Sequence, residues 1–418
     1  MGDTTDSIGI LVVLSGDYGD LGMADHLIAG QHFSERVVLL VPESLRPAAT
    51  GIGRAVRTYA HIGQIIGIVN ELHPRVVLLF SAYLFTADRL FSLSPFIPSL
   101  ASVRRLLKHL RAADCLVATN DPFCGLSAQL TPGSFDFVSS GLLGRSQLNR
   151  WLSPIRRLTT AAHCRSVHRL VSKLPHIYVG AAPANGPDRK QLAFFNPDAA
   201  SGAGTALRAP DARVGGTGAL PTWLFVLSEI DLQIQYNLHG DSLAAMLSSR
   251  LADAGSRGRA PILIAPSRLL AQVRQRTADT SDVTLLESLP YAQFVDTLLR
   301  AEYAFYWNVF SFSMLLRLMN GLPVFFFDKG HLARIVRGYY AAAVNCYFGG
   351  LEPIFADPAL PLTPGRLEAL GHRFTAYAAR VIVRFQSASS PTRMLEELGA
   401  AGRTCTSCSG PASAPDLS

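Results

Sequence analysis

Two stretches of this chain gather the residue types that move protons or hold anions. The first, SGDYGDLGMADH (15–26), sets Asp17, Asp20, Asp25 and His26 among three glycines, directly after an apolar run. A carboxylate or imidazole in a flexible loop at a strand end can serve as general base toward a hydroxyl. Asp20 can equally cap the helix that follows. The second stretch, NVFSFSMLLRLMNGLP (308–323), carries Ser311, Phe312 and Ser313 at the start of an apolar helix. The first turn of a helix offers unpaired N–H groups and the positive end of the dipole, and seryl hydroxyls add donors without crowding. That combination suits a phosphate or diphosphate, although plain N-capping uses the same residue type.

Further candidates fall at other strand ends. Arg268 follows ILIAPS and could clamp an anion or simply begin a helix. Glu229 and Asp231 stand in LSEIDLQ, an E-x-D pair that could chelate a divalent ion but has no further ligands nearby in sequence. Asp121 ends another run in ATNDPF. Pro290 and Tyr291 form a turn after VTLLES, and Asp328, Lys329, Gly330 and His331 follow PVFFF.

Several chemistries are not written here. There is no G-x-S-x-G, no Walker A and no HExxH, and SGDYGDLG departs from the G-x-G-x-x-G that a dinucleotide-binding turn requires. The six cysteines are scattered, and only Cys405 and Cys408 in CTSC have metal or redox spacing, in a Ser/Gly/Pro/Ala tail without a second pair. The net charge of +7 rests on arginine, since lysine occurs only at Lys108, Lys173, Lys190 and Lys329. No nucleic-acid-binding signature accompanies it, so no nucleic-acid partner is expected. Basic helices carrying Arg104, Arg105, Lys108 and Arg111, with Arg156, Arg157, Arg165 and Arg169, instead suggest peripheral contact with an anionic membrane.

The elements that must position these residues are legible as apolar runs. IGILVVLSG, RVVLLVP, RVVLLFSA and DCLVATND are short, rich in Val, Ile and Leu, and without two-residue alternation, which fits parallel strands buried on both faces. SVRRLLKHLRAA between them reads as an amphipathic helix. A second alternation begins at TWLFVLSE. The expected fold is therefore α/β: two Rossmann-like, doubly wound parallel-sheet domains facing a cleft at their strand ends. Residues 1–180 form the first, 181–221 a Gly/Ala/Pro-rich linker, 222–401 the second with closing helices, and 402–418 a disordered tail. The apolar run Tyr306–Gly330 is broken by Arg317, Asn320, Gly321 and Pro323 before the roughly 20 residues a membrane span needs. MGDTTDSIGILVVLSG carries acidic residues where a signal peptide has basic ones, so a cytoplasmic protein is expected.

From VTLLESLPYAQF to PVFFFDKG the chain resembles the nucleotide-sugar-binding half of GT-B glycosyltransferases, the superfamily that also contains the non-hydrolysing UDP-sugar 2-epimerases. The features shared are Leu289-Pro290-Tyr291, the Ser311 to Ser313 loop, and Gly321-Leu322-Pro323 before the next strand. The likeness covers residues 222–335 in detail and the first 180 by architecture. It implies a nucleotide-sugar donor held by Arg268, Ser311, Phe312 and Ser313, with Pro290 and Tyr291 beside the base and Glu229 and His331 near the donor, and without a metal or other cofactor. GDLG resembles the Gly-Asp of heptosyltransferase-like members. That nominates Asp20 as base, with Asp17, His26 and Asp121 as further candidates. The implied function is transfer of a sugar to an acceptor the sequence does not name, with inversion preferred, because the paired acidic residues of many retaining members are missing. A nucleotide-sugar 2-epimerase-like enzyme and a catalytically silent binding module are the alternatives.

Overall fold

A computed structural model describes residues 8–16, 18–29, 36–50, 52, 55–85, 100–143, 146–183, 191–200, 220–277 and 283–406. The first unit comprises β1 (Ile8–Val13), α1 (Tyr18–Ile28), β2 (Arg36–Pro42), β3 (Ala55–Tyr59), α2 (Ile62–Leu72), β4 (Val76–Leu79), α3 (Leu100–Ala112), β5 (Leu116–Thr119), α4 (Gln147–Val171), β6 (His176–Val179), β7 (Gln191–Phe194) and the single turn α5 (Pro197–Ala200). Its strands form one parallel sheet in the order β3-β2-β1-β4-β5-β6-β7. The runs read as buried on both faces are so: Leu11 to Val13, Val38 to Leu40 and Val77 to Leu79 all lie in the core.

The second unit comprises β8 (Thr222–Val226), α6 (Glu229–His239), α7 (Ser242–Gly255), β9 (Ala260–Ile264), α8 (Ser267–Arg276), β10 (Thr284–Leu286), α9 (Tyr291–Arg300), β11 (Tyr303–Tyr306), α10 (Phe312–Met319), β12 (Val324–Phe326), α11 (His331–Ile335), α12 (Tyr339–Phe348), α13 (Pro364–Gln386) and α14 (Pro391–Thr406). Its parallel sheet runs β10-β9-β8-β11-β12. Strand order reverses between β1 and β4 in one sheet and between β8 and β11 in the other, the switch points at which open α/β sheets bind ligands.

The arginine inside the apolar run is structural. Arg317 is fully buried, and its guanidinium donates to the carbonyls of Leu298, Ala301, Glu302 and Pro323 at 2.6–3.0 Å, pinning α10 to the end of α9 and to the turn before β12. A buried charge of this kind is tolerated because its donors are met by carbonyls. Among the described residues no helix is long and apolar enough to cross a membrane.

Two boundaries differ from expectation. Within 181–221, Gln191–Phe194 joins the first sheet as its seventh strand, a four-residue edge whose period-two burial is hidden among Gly, Pro and Asp in sequence. The rest of that stretch, apart from 181–183, 195–200 and 220–221, lies outside the described residues. At the other end α14 continues to Thr406, anchored upstream by buried Met394 and Leu398, so 402–406 are helical, whereas 407–418 and with them Cys408 lie outside the described residues. The last helices return to the first unit: Ser389 pairs with Phe194, and its carbonyl accepts the Phe195 amide at 2.9 Å, laying α14 against β7 and β5.

Candidate active site

The carboxyl edge of the second sheet collects the residues expected to hold a donor. In strand order it presents Pro290 and Tyr291 after β10, Arg268 after β9, Ser228 and Glu229 after β8, Asn308 to Ser313 after β11, and Asp328 to His331 after β12. Among the described residues no side chain caps the α10 first turn: Ser311 is its N-cap residue, yet its hydroxyl makes no capping bond. That hydroxyl instead ends a chain of contacts, 3.0 Å from Ser313 Oγ, which lies 3.0 Å from the buried Tyr306 hydroxyl. The β11 and β12 turns approach closely. A Cβ at Gly330, whose φ is +91°, would fall 2.3 Å from Asn308 Oδ1, so only glycine fits there.

Glu229 and Asp231 do not form a chelating pair. Glu229 is exposed at the start of α6, whereas Asp231 is buried, accepting the Ser228 hydroxyl at 2.7 Å and both the amide and Nδ1 of His331 at 2.9 and 3.0 Å. The Asp231–His331 pair orients the imidazole from the turn after β8, a relation across 100 residues that no local pattern announces. Asp328 is tied in the same manner, accepting Arg334 Nε at 2.7 Å on both oxygens and the side-chain Nε2 of Gln235. Phe327, Asp328, Lys329, Arg334 and Phe355 line a depression of about 360 Å3 beside this corner. Arg268 is exposed, its guanidinium 5.0 Å from the centre of the Tyr236 ring, which shelves it over α6.

The first sheet's edge is arranged differently. Asp20 is 1% exposed. Its Oδ2 accepts the Ser15 amide at 2.9 Å and the Ser15 hydroxyl at 2.7 Å, and its Oδ1 accepts the Ser81 hydroxyl at 2.8 Å. It therefore laces the β1–α1 turn to the end of β4. Asp121 is likewise buried, accepting the Phe123 and Gly125 amides at 2.8 and 3.0 Å and the Ser127 hydroxyl at 3.2 Å. Burial pushes its carboxyl up to about 6 in spite of these donors. His26 lies in the core among Phe194, Phe195 and Phe312, its Nε2 accepting the Asn196 amide at 3.0 Å, and burial holds its imidazole down to about 3, neutral at ordinary pH. Asp17 lies outside the described residues.

The two edges meet along α1. The Phe312 ring packs on Gly22 so closely that a Cβ there would come within 2.5 Å. The Tyr291 amide donates to the Ala48 carbonyl at 2.8 Å, and the Tyr18 hydroxyl donates to the Leu289 carbonyl at 3.2 Å. Tyr291 is buried beside Tyr18, ring centres 6.1 Å apart, so it is a joint between units and not an open stacking platform. Next to it Asp25 is pushed up to about 6 by burial, opposed by its interaction with the Tyr291 hydroxyl. Asp25 stood in the acidic loop of the sequence, but nothing there connected it with residue 291.

No protein-family profile and no curated protein matches this sequence. Solved structures do. MnaA of S. aureus, in a co-structure with UDP, is 9% identical, with 97% of this chain and 99% of that one covered and a TM-score of 0.54. A UDP-glucose:anthocyanidin 3-O-glucosyltransferase in complex with UDP is 10% identical, with 96% and 100% covered and a TM-score of 0.52. With both sheets, their switch points and nearly the whole length accounted for, the chain has the GT-B fold.

Proposed function

We propose that this chain is a nucleotide-sugar-using enzyme and, more narrowly, a glycosyltransferase that works without a metal. The observation that carries this reading is the uncapped first turn of α10, with Ser311 at its tip, on the same carboxyl edge as Arg268 and His331. Amides at a helix start and a strand-end arginine are the groups a diphosphate leaving group needs, and they stabilise the charge that develops as the glycosidic bond breaks. Both compared proteins were solved with UDP, which agrees with a nucleotide as the ligand. On this reading Asp20 acts by bracing the β1–α1 turn, because its oxygens already receive Ser15 and Ser81.

A second reading, a GT-B-like module that binds without turnover, is favoured by one set of contacts: Asp20, Asp121 and His26 are all buried in structural hydrogen bonds. The deciding experiment incubates the protein with UDP-, TDP- and GDP-sugars, with and without a panel of acceptors. Acceptor-dependent release of nucleoside diphosphate is the result expected. Conversion of the donor alone would identify an epimerase, and a thermal shift without any product would identify the silent module. Neither shift nor product with any donor would overturn the nucleotide-sugar reading.

A further inference from the structure

The outer face of α4 is apolar where a soluble helix is ordinarily polar. Leu148 is 68% exposed, Trp151 84%, Leu152 40%, Ile155 61% and Leu158 58%. At 100° per residue they fall on one arc, opposite the face that buries Ser153, Thr160, Cys164 and Val167. The stripe is therefore not misplaced core but a second apolar face with nothing from the described chain against it. It continues into exposed Arg165 and Arg169 on the later turns. Neighbouring α3 adds exposed Arg104, Arg105, Lys108 and Arg111, and neither helix contains an Asp or Glu.

We infer that this face of α4 docks on an anionic lipid surface, with Trp151 and its aliphatic neighbours seated among the headgroups and the arginines of α4 and α3 on the lipid phosphates. An interfacial helix requires one apolar face bordered by basic residues, and tryptophan is favoured at the headgroup level. The charge pattern disfavours a second copy as the occupant. A two-fold contact through this patch would bring arginines against arginines with no carboxylate on either helix to meet them. The inference is independent of the catalytic reading, since it uses none of the residues at the sheet edges.

The protein carries its own probe. Of its three tryptophans, Trp223 and Trp307 are 1% exposed, so a change in emission on adding vesicles reports Trp151. The full chain is mixed at low salt with phosphatidylcholine vesicles, with and without phosphatidylglycerol, and binding is followed by sedimentation, emission shift and quenching by brominated lipid. Binding stronger by about tenfold or more to the anionic vesicles is expected, with a blue shift and quenching. Trp151→Ala with Ile155→Ala, both at exposed positions that the fold does not need, should abolish sedimentation with vesicles. The inference is overturned by no binding to anionic vesicles, by equal binding to neutral ones, or by binding that survives the double substitution. Self-association in the ultracentrifuge that the same substitutions abolish would overturn it in favour of a second copy.

Discussion

The carboxyl edges of the two sheets use similar residues to different ends. At the first, Asp20 and Asp121 are enclosed by hydroxyls and amides of their own unit, and their acceptor capacity is spent holding turns. At the second, Asp231 and Asp328 are enclosed too, but they hold side chains that reach the edge, His331 and Arg334, while Arg268 and the α10 first turn retain donor capacity. A buried carboxylate by itself therefore says little about catalysis; what it positions says more. On the proposed reading, recognition falls to the second edge and rigidity to the first.

The contact joining the two edges should give the largest effect. Phe312→Ala removes a buried ring from between α10 and α1 and should cost about 3–5 kcal/mol of stability in denaturant unfolding. Gly22→Ala in the native background should also destabilise, since the new methyl meets that ring. Combining the two should cost less than their sum, because the alanine methyl then fills part of the space that the ring left. Strict additivity would mean that the α1–α10 contact is not as described.

Next is the first edge. Asp20→Ala strips partners from the Ser15 amide and from the hydroxyls of Ser15 and Ser81, and should destabilise by about 3 kcal/mol. Nucleotide affinity of the folded fraction should stay at the parent value. A large loss of turnover in Asp20→Asn with stability intact would instead restore Asp20 as the base.

Asp25 offers a smaller effect with a defined pH window. Its native carboxyl, pushed to about 6, holds a proton that the unfolded chain has lost between roughly pH 4 and 6, so its contribution to stability falls as pH rises through that window. Asp25→Asn should therefore be more stable than the parent above pH 6, by up to about 3 kcal/mol, with the two converging toward pH 4. His26 works in the opposite direction. The unfolded chain takes up its proton below about pH 6.5 while the native imidazole, held to about 3, does not, so acidification costs stability there. Thermal unfolding of parent and Asp25→Asn at pH 8 and pH 5 reads the sign at Asp25, and the same comparison with His26→Gln reads the sign at His26.

The smallest expected change in stability is at Arg268. Arg268→Ala, at an exposed side chain, should leave unfolding unaltered while weakening nucleoside diphosphate binding by about tenfold or more, the loss of one charged hydrogen bond. Equal affinity measured by calorimetry would remove Arg268 from the site.

The strands were legible in sequence because burial on both faces leaves unbroken Val/Ile/Leu runs, as in RVVLLV and RVVLLF. β7 was not, since four residues of an edge strand inside a Gly/Pro-rich stretch carry too little pattern. The donor-side candidates share one sheet edge because strand ends in a parallel α/β unit necessarily do. The roles of Asp20 and Tyr291 were not legible: an acidic residue after β1 and a tyrosine after a turn look alike in sequence whether they face a ligand or another helix. The partners that decide between these, Ser81 for Asp20 and Tyr18 for Tyr291, are 61 and 273 residues away.

Titration calorimetry with UDP and TDP, on the parent and on Ser311→Asp, asks whether the start of α10 holds a diphosphate. Aspartate is as good an N-cap as serine, so the fold and α10 should keep or gain stability, while its charge opposes a diphosphate at the same helix start. The parent should bind at least one nucleotide, and Ser311→Asp should lose about tenfold or more in affinity. A parent that binds neither nucleotide, or a variant that binds as tightly as the parent, would contradict a diphosphate site at α10.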